Sequence, residues 1–359
     1  MADRIEEESV DLGKLNQMIE EGMVRAQRHN MLPLTIYKYT QKAVYTGTWN
    51  ETTLRCRGLV LDDEGTIVVN GFTKFFNHSE REGLPIYESH KDKPYVVTEK
   101  LDGSLIQAVI YKDWVLVTSS GSFDSPQAAM GRECLLGKEN RTGHHGIKPG
   151  ITYLFEIIYP GNRIVLDYGN RQSLVLLAMR DTATGEELDV ELDTEFEHVQ
   201  PVSMTLYEIE QELGRADFIS KEGYVVTWEG GIRVKMKYAE YMRLHKIVSG
   251  VNEKFVWEAL RDGVDLEAVL KGVPDELFKF VQDTATALRA AYKATAERAL
   301  AVRDSVVLLP TRKEQAAVVM KDHKDISALV FCLLDGKNLW GKTWKMIEPE
   351  NKKELPDEG

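Results

Sequence analysis

The chain has 359 residues, 43% of them hydrophobic and 28% charged, the balance of a globular chain in water that is long enough for two cores. Its formal net charge of −12 argues against a protein that coats nucleic acid by charge alone, yet screening within roughly 10 Å leaves room for a local basic groove. No apolar run reaches the ~18 residues of a membrane span, so no membrane partner is expected.

The acidic start MADRIEEESV lacks the basic and apolar regions of a secretory leader. Three distant cysteines, Cys56, Cys134 and Cys332, make neither a disulfide framework nor a zinc spacing, so reduced thiols and a cytoplasmic location are expected. The Asn-x-Ser/Thr matches at Asn50, Asn77 and Asn140 are then inert. No metal-ligand pattern joins the eight histidines, and the pair His144–His145 in GHHG reads as a surface loop.

Leu12, Leu15, Met18, Ile19 and Met23 recur at helical spacing and predict a first helix within residues 11–28. From about residue 34 to 240, short β-branched and aromatic runs are separated by turn dipeptides. LVLDDEGTIVV (59–69), LIQAVIYKDWVLVTSS (105–120) and GYVVTWEGGIRVKMK (223–237) read as antiparallel hairpins. ITYLFEIIY (151–159) and SLVLLAMRD (173–181) read as buried strands, and SPQAAMGRECLL (125–136) as a helix.

After Leu244 the strand signals nearly vanish. EKFVWEAL, the long run from Pro274 to Asp304, RKEQAAVVM and DISALVFCLL are helix formers with apolar residues at i, i+3 and i+4, and Pro274 before Asp275 and Glu276 suits a first turn. Lys271, Lys279, Arg289, Lys293 and Arg298 on these helices read as a solvated face. The expected class is α+β: an antiparallel-sheet domain over 1–244, an all-helical domain over 245–350 and a frayed tail over 351–359.

In TEKLDGSLIQ (98–107), Lys100 ends one apolar run and Asp102-Gly103 precede the next. Alone, this fits a solvent-facing lysine before a hairpin turn. Other cations strengthen it. Lys235 and Lys237 lie two apart on one strand and so share a face, and Glu222 sits at the mouth of the partner strand. Arg57 opens an earlier strand, and Lys74 ends the one after it in GFTKFFN. A sheet face with two lysines and a carboxylate near its end suits a polyphosphate and its metal ion; an amphipathic strand with lysines in water is the plainer alternative. A nucleophilic lysine must shed its proton, and neighbouring cations with partial burial would lower the Lys100 pKa.

KLDGS (100–104), YLFEII (153–158), EGYVV (222–226) and VKMKY (234–238) stand in the order of the motifs of covalent nucleotidyltransferases, the polynucleotide ligases and mRNA capping enzymes. With CRGLVL, TKFFN, YAEYMRLH and the helical C-terminal part, the chain resembles most the bacteriophage RNA ligase 1 family, firmly over the first 245 residues. The resemblance implies an adenylyltransferase domain and an ATP-dependent RNA ligase. Lys100 would attack the α-phosphorus of ATP to form a lysyl–AMP; the AMP would pass to an RNA 5′-phosphate, and a 3′-hydroxyl would displace it. It implies that Lys235 and Lys237 grip the α-phosphate with help from Lys74, and that Arg57 and Tyr241 hold the outgoing phosphates. Glu156 would contact the ribose and Tyr37 line the nucleotide site. Glu222, with Asp265 as a further contact, would hold Mg²⁺, and Asp102 and Gly103 would shape the turn. Monomeric action in bacteriophage-type RNA repair, tRNA repair included, is part of the same expectation.

Two positions depart from the pattern: Leu101 follows the nucleophile where a glutamate is familiar, and Ser120 stands where a lysine is expected. A DNA ligase or capping-type guanylyltransferase is the alternative, opposed by the helical rather than strand-rich C-terminal part. A non-catalytic RNA-end-binding protein would be expected to lose Lys100 or Glu222, and both are present.

Overall fold

The computed structural model describes residues 9–137, 146–190, 196–215, 221–270, 273 and 275–349. The expectations for Asn140, His144–His145, Lys271, Pro274 and the 351–359 tail lie outside these. The class is α+β, in two compact units, one reaching Met242 and the next beginning at Arg243.

The strands of the first unit are β1 (Val24–Arg28), β2 (Leu34–Tyr39), β3 (Arg57–Asp62), β4 (Ile67–Val69), β5 (Phe76–Asn77), β6 (Tyr95–Lys100), β7 (Ser104–Tyr111), β8 (Trp114–Ser119), β9 (Ile151–Ile158), β10 (Ser173–Asp181), β11 (Glu187–Leu188), β12 (Gly223–Trp228) and β13 (Arg233–Lys237). They form three sheets, ordered β1-β2-β3-β4, β11-β10-β9-β7-β8 and β5-β13-β12-β6. The three expected hairpins are present as antiparallel pairs β3–β4, β7–β8 and β12–β13.

The first helix is shorter than its periodicity suggests. It runs Leu12–Glu20, capped by the Asp11 carboxylate, and Gly22 at φ 71° then turns the chain into β1. Leu15 and Met18 pack there with Cys56, Leu59 and Leu61 on one face of the first sheet. The other face sets Leu34, Ile36 and Val60 against Val109 and Leu116 of the second sheet. Beyond that sheet, Ile106, Tyr153, Phe155 and Leu176 pack with Leu135 of the helix Pro126–Leu136, which Ser125 caps. In the third sheet Val97, Tyr224, Val226, Val234 and Met236 are buried, and the helices Gly83–His90 and Leu206–Leu213 contact β13. Alternation then leaves the opposite face to Lys100, Lys235 and Lys237.

Among the described residues the regular elements of the second unit are all helical and include Glu253–Asp262, Leu266–Val269, Asp275–Val306, Arg312–Asp322, Ser327–Leu334 and Trp340–Met346. One core gathers Val256, Trp257, Leu260, Val281 and Trp344; another gathers Ala299, Val302, Val319, Leu329 and Val330. Among the described residues no helix is long and apolar enough to cross a membrane.

Candidate active site

The lysine of KLDGS does not lead into a hairpin. β6 pairs with β12, whereas β7 pairs with β8 and β9, so residues 101–103 carry the chain from one sheet to another. Asp102 fixes this crossing: its Oδ2 accepts from the backbone N–H of Val165 (2.9 Å) and Leu166 (2.6 Å), and its Oδ1 accepts from the Tyr241 hydroxyl (2.6 Å). A Cβ at Gly103 would stand 2.4 Å from the Ile157 carbonyl, so the turn requires glycine there. Tyr241→Phe should cost about 1–3 kcal/mol by leaving a buried Asp102 oxygen with one donor fewer. A urea midpoint equal to that of the parent chain would remove this role.

Register brings the charged groups together. Gly223 is the cross-strand partner of Lys100 on β6 and of Lys237 on β13, and Val225 is that of Lys235. Opposed residues share a face, so the lysines converge at the mouth of β12, where Glu222 precedes Gly223. Glu222 Oε2 accepts from Lys100 Nζ at 2.8 Å and Oε1 from Lys237 Nζ at 2.7 Å. Phe75 ties in two more cations: Arg57 lies 5.2 Å and Lys235 5.0 Å from its ring centre. Lys74 lies in an irregular run rather than at a strand end, 5.4–5.7 Å from the rings of Phe76, Tyr39 and Trp49. Glu156, on β9, accepts from the Gly103 N–H at 3.0 Å.

The electrostatics correct one expectation. Burial pushes the Lys100 ammonium down, but the charges of Glu222 and Glu156, with the Glu222 hydrogen bond, outweigh it, and the net direction is up. Lys235 is the lysine lowered well below its ordinary value, by burial and then by the charges of Lys74, Arg57, Lys100 and Lys237. Carboxylates surround the first lysine; cations surround the second. Burial also pushes Glu156 from 4.5 up to about 7, against the attraction of Lys100. A carboxyl with a raised folded value stabilises the fold fully below its unfolded value, and that contribution is lost as pH rises through about 7. Relative to Glu156→Gln, the parent chain should therefore lose stability between about pH 4.5 and 7. Urea midpoints that keep a constant separation across that window would contradict this.

Two expected residues make other contacts. Tyr37 packs instead with the Leu15–Met18–Leu59 core, because it points to the face of β2 opposite Lys38. Asp265 belongs to the second unit, where its carboxylate caps the helix Leu266–Val269 by accepting from the N–H of Glu267 and Ala268. At Ser120, the Lys38 ammonium donates to the hydroxyl at 3.2 Å, both side chains buried, so an amine stands beside the position although the residue is serine. Gly223 and Phe75 also belong to the site, and a glycine directly after a glutamate at a strand start is the sequence signal for the first.

The donor set suits an anion. Lys235 is surrounded by like charge, and Arg57 Nη1 is buried without a hydrogen-bond partner. For a metal the set is sparse: no three metal-ligating side chains converge among the described residues, and both Glu222 oxygens are engaged by lysines. A magnesium ion here would be held through water and substrate phosphates with Glu222 as its carboxylate.

A family model described as RNA ligase matches residues 55–241, just over half of the chain and all of this cluster. The chain belongs to the RNA ligase family. A protein of Thermovibrio ammonificans provisionally named RNA ligase is 30% identical over 145 residues, covering 39% of this chain. The chain spans 37% of that relative's length. Solved structures similar to this RNA ligase family member include an archaeal ATP-dependent RNA ligase (16% identical, 80% of each chain, TM-score 0.46). Another is provisionally named an ATP-dependent DNA ligase, from Aquifex aeolicus (14% identical, 91% of this chain and 88% of that one, TM-score 0.44). A Naegleria gruberi RNA ligase with ATP and Mn is 21% identical over 46% of this chain and 55% of its own, with TM-score 0.33.

Proposed function

We propose that the chain is an ATP-dependent RNA ligase joining a 5′-phosphate to a 3′-hydroxyl through a lysyl–AMP and an RNA-adenylate. The observation that carries this is the row Lys100–Gly223–Lys237 with Lys235 beside it, a concentrated cationic face in a chain of net charge −12. Lys100 Nζ forms a bond to the α-phosphorus of ATP and loses a proton as the bond from that phosphorus to the pyrophosphate oxygen breaks, once the ammonium has given up a first proton. In the state described, Glu222 Oε2 is that proton's hydrogen-bond acceptor. Since Glu222 holds the amine charged, attack follows the loosening of this pair.

Lys235, Lys237, Lys74 and Arg57 receive the phosphates, and Glu156 the ribose. Transfer of AMP to the RNA phosphate then breaks the nitrogen–phosphorus bond, and the 3′-hydroxyl displaces AMP. Such steps rest on in-line positioning and charge neutralisation more than on acid–base chemistry. Mg²⁺, when bound, adds to that neutralisation. Monomeric action in the cytoplasm, in bacteriophage-type repair of broken RNA including tRNA, completes the reading, and the free thiols of Cys56, Cys134 and Cys332 support a reducing compartment.

The test is a time course with α-labelled ATP, Mg²⁺ and 5′-phosphorylated RNA. Label should appear on protein, then on RNA, then as free AMP with sealed product. Labelling by GTP in preference to ATP, or sealing of nicked DNA in preference to RNA, would transfer the assignment to the alternatives.

A further inference from the structure

The helical unit holds a cleft of about 400 Å³ between Leu260, Val264, Arg289, Tyr292, Trp340 and Trp344. That volume lies within the roughly 300–1,000 Å³ of small-ligand sites. We propose that it takes an unpaired base of the RNA strand, stacked against Trp340 and Tyr292, with the adjoining phosphate on Arg289. The inference rests on the RNA ligase reading and adds a substrate-binding site remote in sequence from the nucleotidyl-transfer motifs.

Trp340 and Trp344 lie one helical turn apart and so share a face. Their rings are 5.7 Å apart, and Tyr292 lies 5.3 Å from the first and 5.1 Å from the second. Core packing accounts for Trp344, which is 2% exposed and whose carbonyl accepts from Trp257 Nε1. It does not account for Trp340, which is 45% exposed yet held by its Nε1–H donating to the Arg261 carbonyl at 3.0 Å. An aromatic face that is both open and anchored loses little freedom on binding a planar ring. Trp344 adds a buried Nε1–H with no partner, a donor that an acceptor on a base edge would satisfy.

Charge selects the ligand. In this unit Arg261, Arg298, Arg303 and Arg312 each pair with an aspartate. Arg289, exposed on the cleft wall one turn before Tyr292, makes no ion pair among the described residues. A guanidinium fork beside open rings matches a phosphate joined to a base. A solvated helix face, the sequence-based expectation for Arg289, leaves the rings unexplained.

The experiment uses the full chain and a fluorescent, 5′-phosphorylated single-stranded oligoribonucleotide, with anisotropy giving Kd and α-labelled ATP giving self-labelling. Trp340→Ala should weaken RNA binding roughly 5- to 160-fold, the range for one stacked base. Trp340→Phe should recover most of the loss. Arg289→Glu, at an exposed position that leaves folding intact, should weaken binding and reduce the salt slope by about one unit. Self-labelling should be unchanged in all three. RNA affinities equal to the parent's in Trp340→Ala and Arg289→Glu, with self-labelling intact, overturn the inference while the ligase reading stands. So does a parent chain that self-labels yet binds no single-stranded RNA. Unchanged RNA affinity with altered binding of an apolar dye would assign the cleft to protein docking instead. Loss of self-labelling in the parent chain strikes the ligase reading.

Discussion

Lys100→Ala should abolish covalent labelling by α-labelled ATP, with no residual slow phase. The variant lacks the nitrogen that forms the bond, and positioning by the remaining cations does not supply one. Lys100→Arg should fail equally, since guanidinium stays protonated at accessible pH. The two should differ in stability. Alanine leaves the buried Glu222 with Lys237 as its ion-pair partner, and breaking a buried pair costs on the order of 3–5 kcal/mol. Arginine keeps the charge and should retain much of that stability. Labelling at the parental rate in either variant would remove Lys100 from the chemistry.

Gly223→Ala should be among the most damaging single methyl additions in the first unit. The residue sits at φ 150°, and a Cβ there would lie 2.1 Å from the Met236 carbonyl oxygen and 2.7 Å from Lys237 Cα. Neither neighbour is a flexible side-chain end, so β12 and β13 must part at the row that aligns Lys100 with Lys237. A loss above about 4 kcal/mol is expected, at the extreme of single substitutions, together with loss of self-labelling. Gly137→Ala is the control. It also has positive φ, 68°, with ψ 175°, but nothing lies within 4 Å of its Cβ, so about 1–3 kcal/mol is expected from conformation alone. Equal urea midpoints for the two variants would show that conformational preference, not the close approach, sets the cost.

Much of this arrangement is legible in the sequence. Alternation in VKMK placed two lysines on one face because a strand's period is two, and Gly230-Gly231 announced the hairpin before it. What was not legible was pairing between distant strands. That β6 lies against β12, placing Lys100 opposite Gly223, follows from contacts over 120 residues apart, which no local pattern encodes. The same gap explains the error over the Lys100 proton. The sequence displays the cations, but the strength of Glu222 and Glu156 depends on distances that the sheets set. Tyr37 packs with Leu15 and Leu59 for a simpler reason: a strand residue one position from a buried lysine faces the other way. The first helix was overextended because Met23 continued the apolar spacing while Gly22 ended the helix.

The most direct measurement is to locate the AMP adduct by digestion and mass spectrometry after incubation with ATP alone. Lys235 is the rival: its amine is driven well toward the neutral form in the free protein, and that of Lys237, two residues on, is also shifted down by burial. A single adduct is expected, on the peptide carrying Lys100, at every pH at which labelling occurs. An adduct on Lys235, or one shared between the two lysines, would contradict it.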